Sequence, residues 1–334
     1  MYIVDSYSLA VIFCIITMLG WGSWANTLKM TPKNWEFPLY YWDYSIGLIL
    51  TTLLFGFTFG SSGTEGRSFL ADLSQANFSA LSSAFIGGVI FNLSNLLIVA
   101  ATAIAGLAVA FPIAVGLALV IGVVVNYIAT PLGNPVLLFA GLALVVLAIL
   151  VDTAAYKKLP QEKKGDQKKG ILISIVSGIL MGFFYRFVAA SMTTNFAVPD
   201  AGLLTPYSAM FVFTIGIFIS NFVFNTWFMY KPVTGGKVSY SDYFRLGKPK
   251  VHLIGLLGGL IWCAAMEFNM MASEQAGFAI SYGLGQGATM ISAAWGVFVW
   301  KEFAKAPKGT NKLLAAMFAL FIIGLSMIVV ARLN

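Results

Sequence analysis

Long apolar runs separated by short polar stretches recur along the whole chain. Windows of about 20 residues, the helix length that crosses about 30 Å of hydrocarbon, predict ten spans. They lie at 8–29, 38–59, 79–102, 105–128, 135–153, 170–192, 203–229, 251–273, 277–300 and 312–332. A run such as "LLFAGLALVVLAILV" has none of the two-residue alternation that a membrane barrel strand requires, so the spans are read as helices. The predicted fold is all-α, a polytopic membrane protein of ten transmembrane helices.

The polar stretches set the predicted orientation. With ten spans, the connections 1–2, 5–6, 7–8 and 9–10 share one side and hold 17 of the 20 Lys and Arg residues, including those of "KKLPQEKKGDQKK". Arg67 and Arg332 fall on the other side, and Arg186 falls inside a span. Cytoplasmic loops retain Lys and Arg, which puts both termini outside. The first run follows "MYIVDSYS", without a basic lead or a small-residue cleavage pattern, and is read as a retained span.

The lysine-rich stretch 154–169 divides the chain into 1–153 and 170–334, five spans each, and reads as a solvated cytoplasmic hinge. Residues 87–117 laid over 258–288 without a gap give eight identities in 31 columns, where membrane composition alone gives about three or four. The identities include Gly87 with Gly258, Gly88 with Gly259, Gly106 with Gly277 and Gly116 with Gly287. Glycine is the residue that permits close helix approach. An odd number of spans per half inserts the second half upside down, giving the 5+5 inverted repeat common among secondary transporters.

Composition agrees. The chain is 59% hydrophobic and 10% charged with a mean hydropathy of +0.86, values a soluble fold of this size does not carry. The net charge of +7 sits in the connections, where the membrane accounts for it, so no nucleic-acid partner is expected. Cys14 and Cys263 lie inside apolar runs without metal-ligand spacing, and neither a metal nor any other cofactor is implied. An H-E-x-x-H motif, a His-rich cluster and a G-x-x-x-x-G-K-[ST] motif are all missing from the sequence, which argues against an intramembrane enzyme and against direct nucleotide use.

Charge inside the spans supplies the candidate chemistry. Arg186 and Glu267 each lie 16 residues into a span that starts from the cytoplasmic side, so at about 1.5 Å per residue they reach one depth. A lone charge in lipid costs at least about 2.5 kcal/mol, and both are expected to face the bundle interior. Two readings stand: a buried ion pair that fixes helix packing, or Arg186 as a substrate donor with Glu267 as the carrier of a coupling proton. Asn92, Asn95, Asn26, Tyr282 and Gln286 lie well inside apolar runs, where amides and hydroxyls line either helix contacts or a polar cavity. Trp24 and Trp262, with Trp21, Tyr185 and Tyr207, offer flat faces to a sugar ring or a heterocycle, or simply pack. Lys29, Asp152 and Glu302 at span ends are read as snorkelling side chains, and His252 as interfacial rather than a proton relay.

Four stretches in fixed order, "GWGSWANTLKM", "YYWDYSIG", "GGVIFNLSNL" and "AAWGVFVWKEF", resemble the ureide permeases and their bacterial relatives within the drug/metabolite transporter superfamily, neighbours of the glucose/ribose porters. The resemblance runs along nearly the whole chain. It implies uptake of a small polar metabolite (allantoin or another ureide, a nucleobase, or a monosaccharide such as ribose) coupled to a proton or sodium, in a cell membrane such as a bacterial inner membrane. It also keeps Asp43, within "YYWDYSIG", as a proton-coupling candidate beside its plainer reading as an interfacial carboxylate near Lys29 and Lys33. The linker 154–169 is shorter than the central loop of the plant members. An exporter of the same superfamily is the alternative function, which fold alone does not exclude.

Overall fold

The computed structural model describes residues 1–159, 166–233 and 235–333. Helices make up nearly all of its regular structure: α1 Tyr7–Ser23, α2 Phe37–Phe57, α3 Phe69–Gln75, α4 Phe78–Ala105, α5 Leu107–Ala129, α6 Pro135–Tyr156, α7 Gln167–Ser191, α8 Pro206–Asn221, α9 Phe224–Tyr230, α10 Tyr240–Leu246, α11 Pro249–Ala276, α12 Phe278–Gly285, α13 Ala288–Ala294 and α14 Thr310–Ala331. The extended backbone pairs in an isolated bridge between Met192 and Leu204. A 3-10 stretch, Trp24–Met30, extends α1.

Local sequence explains where the helices begin. Asn77 and Asn134 cap α4 and α6 by accepting from backbone N–H groups of the first turn, and Pro135 stands at the first position of α6, where no amide donor is needed. Ser239 and Asp242 form a reciprocal capping box on α10.

Eight helical segments among the described residues are long and apolar enough to cross a membrane, and they coincide with eight of the ten predicted spans. The other two differ for physical reasons. Helix α2 is continuous over 21 residues, but Tyr40, Tyr41, Trp42, Asp43 and Tyr44 crowd polar groups into its first turns. The stretch predicted as 277–300 is broken after Gly285 into α12 and α13 and ends in a π-type turn, Trp295–Val299. Of the predicted linker, 160–165 lies outside the described residues; α6 runs to Tyr156 and α7 starts at Gln167.

The packing comes in matched sets. Helix α4 lies on α7 and α8, and α11 lies on α1 and α2; α5 meets α7 as α12 meets α1, and α6 pairs with α14. At the α4–α5 corner Gly106 has φ 85° and ψ 154°, and at the α11–α12 corner Gly277 has φ 84° and ψ 148°. That region is open to glycine and strained for other residues. A Cβ on Gly88 would lie 2.0 Å from the Phe213 carbonyl oxygen of α8, and one on Gly259 would lie 2.1 Å from the Tyr44 carbonyl oxygen of α2. The sequence identities at these positions thus fall at two corners of like backbone conformation and at two close backbone crossings.

The bundle has two chemically distinct ends. One gathers Met1, whose amine donates to the Glu65 carbonyl at 2.6 Å, with Arg67, Asp72, Asp200 and Arg332. The other gathers Lys29, paired with Glu302 at 3.1 Å, and the α10 region with Arg245, Lys248 and His252. Lys29 and Glu302 therefore bridge the 3-10 stretch to the segment before α14 instead of reaching separately for headgroups.

Candidate functional site

Helix α11 organises the interior. On one face Trp262 is surrounded by Trp21 of α1, Phe91 of α4 and Phe213 of α8, with ring centroids 5.9, 4.5 and 6.3 Å away; the two indoles are nearly parallel, 14° apart. Beyond this cluster, toward the end that carries Met1, Tyr185 Oη of α7 donates to Asn269 Oδ1 at 2.7 Å and lies 3.0 Å from Ser281 Oγ of α12, while Asn269 Nδ2 donates to the Ser281 carbonyl at 2.9 Å. All three residues are fully buried. The network ties α7, α11 and α12 together at the bundle centre, and Trp21 Nε1 beside it is buried without a hydrogen-bond partner.

Gly255, Gly259, Cys263 and Glu267 follow one another at four-residue intervals along α11, in a stripe that winds slowly round the helix. Gly255 meets Asp43 and Gly259 meets Tyr44, so the start of the stripe faces α2, while Glu267 at its far end lies within electrostatic range of Tyr207 of α8. Glu267 is fully buried, and neither of its carboxyl oxygens has a hydrogen-bond partner among the described residues. Buried polar atoms are nearly always partnered, so a carboxyl lacking any donor stands out, as does the buried Asn221 amide, whose two ends are likewise unpartnered among the described residues.

Arg186 does not pair with Glu267, contrary to the expectation from shared depth. Ile179, Phe183, Arg186 and Ala190 follow one face of α7, and Ile179 and Phe183 are each 40% exposed; Arg186 is half-buried on that outer face. Equal distance along two helices left their azimuths free.

The amides hold helices together. Asn92 Nδ2 donates to the Ile217 carbonyl at 3.2 Å and to Ser220 Oγ at 2.8 Å, fastening α4 to α8, and Asn95 Nδ2 donates to Tyr41 Oη at 3.1 Å. Asn26 accepts from Trp300 Nε1 at 2.7 Å, Trp24 packs 4.9 Å from Tyr44, and Tyr282 Oη donates to the Ala118 carbonyl at 3.2 Å. Gln286 closes α12, its backbone N–H donating to Tyr282 at 3.1 Å.

Asp43 finds partners other than Lys29 and Lys33. It is 2% exposed, lies 2.8 Å from His252 Nδ1 and accepts from Tyr243 Oη on α10. His252 is therefore bonded to a buried carboxylate, which the sequence did not suggest because Asp43 and His252 are 209 residues apart. Asn269, Ser281 and Tyr243 also escaped sequence reading. Asn269 and Ser281 are short polar residues in apolar runs, and that signal would have nominated them with Asn92; Tyr243 lies in a polar connection, where a tyrosine is unremarkable.

The ureide permease family model matches residues 40–169 and 162–331. The chain belongs to the ureide permease family. It is 25% identical over 387 aligned positions to Ureide permease 1 of Arabidopsis thaliana, covering 98% of each chain, and 26% identical to Ureide permease 2 of the same plant, covering 96% of each. Transmembrane protein 144 homolog B of Dictyostelium discoideum is 27% identical over 48% of this chain and 40% of its own length. A solved crystal structure shares the fold, with a TM-score of 0.61 at 17% identity across 98% of this chain and 99% of that one. As a family member the protein is a membrane transporter and not an enzyme.

Proposed function

We propose that this protein takes up a ureide such as allantoin together with a proton, through a ten-helix 5+5 inverted repeat (1–153 and 170–334 about the 154–169 linker) with both termini outside a cell membrane. The ureide assignment is supported by near full-length similarity to relatives named as ureide permeases, which favours it over a monosaccharide and over export. The repeat is supported by the matched corners at Gly106 and Gly277 and the matched crossings at Gly88 and Gly259. The orientation is supported by the basic end that holds Lys29, Arg245 and Lys248.

One observation carries the coupling: Glu267, fully buried on α11 with two unpartnered oxygens. A charge left alone there costs several kcal/mol, and a proton or a donor from the ligand relieves that cost. The aromatic cluster around Trp262 offers flat faces to a planar ureide ring, with Trp21 Nε1 a free donor at its edge. Asn92 and Asn95 brace α4, the helix that carries Phe91, and Tyr282 reaches the cluster through Phe184, 6.4 Å from its own ring and 5.1 Å from that of Phe91. Arg186 is proposed to snorkel toward the end carrying Met1, five residues from the end of α7.

The test uses the purified protein in liposomes with radiolabelled allantoin. The parent should accumulate label uphill under an imposed proton gradient. Glu267→Gln should keep exchange of label for unlabelled allantoin and lose accumulation, because the amide mimics the protonated acid. Accumulation by the variant equal to that of the parent would move coupling away from Glu267.

A further inference from the structure

Unpartnered amides collect on one wall of the bundle, where α8 and α9 meet α2 and α4. Asn92 of α4 commits its Nδ2 to the Ile217 carbonyl at 3.2 Å and to Ser220 Oγ at 2.8 Å, and Asn225 of α9 commits its Nδ2 to the Pro38 carbonyl of α2 at 2.9 Å. A carbonyl only accepts, so these bonds fix which end of each amide is nitrogen. Both residues are fully buried, and in each the Oδ1 has no partner among the described residues. Asn221, the last residue of α8, is also fully buried, and there both Oδ1 and Nδ2 lack a partner.

The direction of Asn221 follows from its neighbours on α8. Thr214, about two turns earlier, lies 3.2 Å from Thr52 of α2, and Ile217, one turn earlier, carries the bond from Asn92 of α4. Asn221 therefore leaves the helix between the face that meets α2 and the face that meets α4. The span is interrupted at this point: α8 ends at Asn221, α9 starts at Phe224, and the N–H groups of Phe222 and Val223 donate to Ile219 and Ser220, three residues back. Interrupted spans are where secondary transporters commonly place their binding groups.

The amides also stand on a path. On one side is the aromatic cluster of the candidate site, since Phe91 adjoins Asn92 and Phe213 lies about two turns before Asn221. On the other, a cleft at the basic end of α2 is lined by Phe37, Pro38, Leu96, Val99, Phe228 and Val233. Pro38 is the residue whose carbonyl holds Asn225, and the Phe37 ring lies 5.3 Å from that of Tyr41, the partner of Asn95. The cleft thus borders the amides directly.

We propose that Asn221, with the Oδ1 atoms of Asn92 and Asn225, forms a second subsite for the cargo between the aromatic cluster and the basic end, one that reads the N–H and C=O edge of a urea or imide unit. A primary amide facing that edge donates to the carbonyl and accepts from the N–H beside it, a two-point match. Three acceptors and one amide donor suit a ligand that brings more N–H hydrogens than carbonyls, as allantoin does. The inference rests on the ureide reading of the cargo and adds the residues that recognise that chemistry. It also separates binding from folding. A buried amide without partners destabilises the ligand-free protein, and bonds to the ligand offset that cost.

The test is thermal melting of the purified full-length protein with allantoin, with hydantoin, and with the N,N′-dimethyl derivative of hydantoin, which has no N–H. Allantoin and hydantoin at about 100 times their half-saturating concentration should raise the melting temperature of the parent by about 5 °C, and the dimethyl derivative should not. Asn221→Leu, close in volume but apolar, should melt at or above the parent without ligand and need about tenfold more allantoin or hydantoin for half of its shift. In the parent, hydantoin should also slow amide exchange across 217–229, a measurement that decides even if the variant does not fold. An Asn221→Leu protein that melts below the parent or responds at the parent's ligand concentration, a dimethyl derivative that binds as hydantoin does, or exchange across 217–229 that ignores hydantoin would overturn the subsite. A response to hydantoin without one to allantoin would keep the subsite and refute the ureide cargo. Allantoin uptake into liposomes with the same half-saturation in parent and Asn221→Leu would keep the cargo and refute the subsite.

Discussion

Gly259→Ala tests the seam on which the bundle depends. The added Cβ would lie 2.1 Å from the Tyr44 carbonyl oxygen and 3.0 Å from the Leu48 amide nitrogen, whereas carbon and carbonyl oxygen rest no closer than about 3.3 Å. Both obstacles are backbone, so no side chain can rotate away; α2 and α11 must part by about 1 Å along a contact that also holds Asp43. Overpacking of this kind costs about 1–3 kcal/mol, which in a thermal melt of the purified protein should appear as a fall of about 5 °C. Gly88→Ala should fall by a similar amount, since its Cβ would meet the Phe213 carbonyl at 2.0 Å. Gly116 is the control: nothing lies within 4 Å of its Cβ position, and alanine in a helix interior gains about 0.5–1 kcal/mol over glycine, so Gly116→Ala should melt at or above the parent. A Gly259→Ala protein as stable as the parent, or a Gly116→Ala protein that falls as far, would refute the backbone-crossing account.

Other consequences are simpler to check. Melting shifts of Arg186→Gln and Glu267→Gln should add in the double variant to within about 0.5 kcal/mol, and a larger coupling would restore the ion pair that the geometry denies. A reporter fused to the C-terminus should behave as extracytoplasmic, and a cytoplasmic signal would invert the proposed orientation. Asn269→Ala strands Tyr185 Oη and the Ser281 carbonyl from their amide partner and should cost about 1–3 kcal/mol of stability; a neutral melt would show the network to be dispensable. Ser239's hydrogen bonds hold the Asp242 carboxyl below its ordinary range, so its contribution to the α10 cap is complete above the range of an unfolded aspartate and is lost as pH falls through the lowered value. Amide exchange over 240–246 should therefore stay slow through the ordinary aspartate range and quicken only below it, and Ser239→Ala should move that loss to higher pH.

The helices were legible because one physical variable, the length of apolar run against the thickness of hydrocarbon, decides them. That variable is blind to two things seen here. It averages over the polar crowding at Tyr40 to Tyr44, so α2 reads as an ordinary span when it is the polar wall of the α11 seam. It also cannot see the break after Gly285, because Gly283, Gly285 and Gly287 leave the window apolar while freeing the backbone to leave the helix. The paired glycines carried further, since glycine at matched positions has a backbone cause. At Gly106 and Gly277 that cause is a positive φ, and at Gly88 and Gly259 it is a carbonyl pressed into the helix surface. Gly116 matches Gly287 in sequence and yet touches nothing, so identity at that column alone carried no contact.

Sites are less legible than spans because a residue in a helix has both a depth and an azimuth. Counting residues from the same end gives depth, and it matched Arg186 to Glu267. Azimuth comes from the neighbours at three and four residues: Ile179, Phe183 and Ala190 beside Arg186 are outward, whereas Gly255, Gly259 and Cys263 below Glu267 are inward. Both stripes are written in the sequence, and the glycine spacing in particular separates a face pressed on another helix from a face turned to lipid. Had the stripes been weighed before the depth, Glu267 would have stood alone on a buried face of α11, without the arginine. The Asp43–His252 bond was beyond any such reading, because it joins two helix starts that local periodicity does not relate; only the packing of α2 on α11, with Gly255 against Asp43, brings them within 2.8 Å. Charge inside a span is therefore best read first for the stripe that carries it. Pairing belongs to the tertiary fold: Asp43 meets His252 where α2 packs on α11, and α10 adds only the Tyr243 hydroxyl.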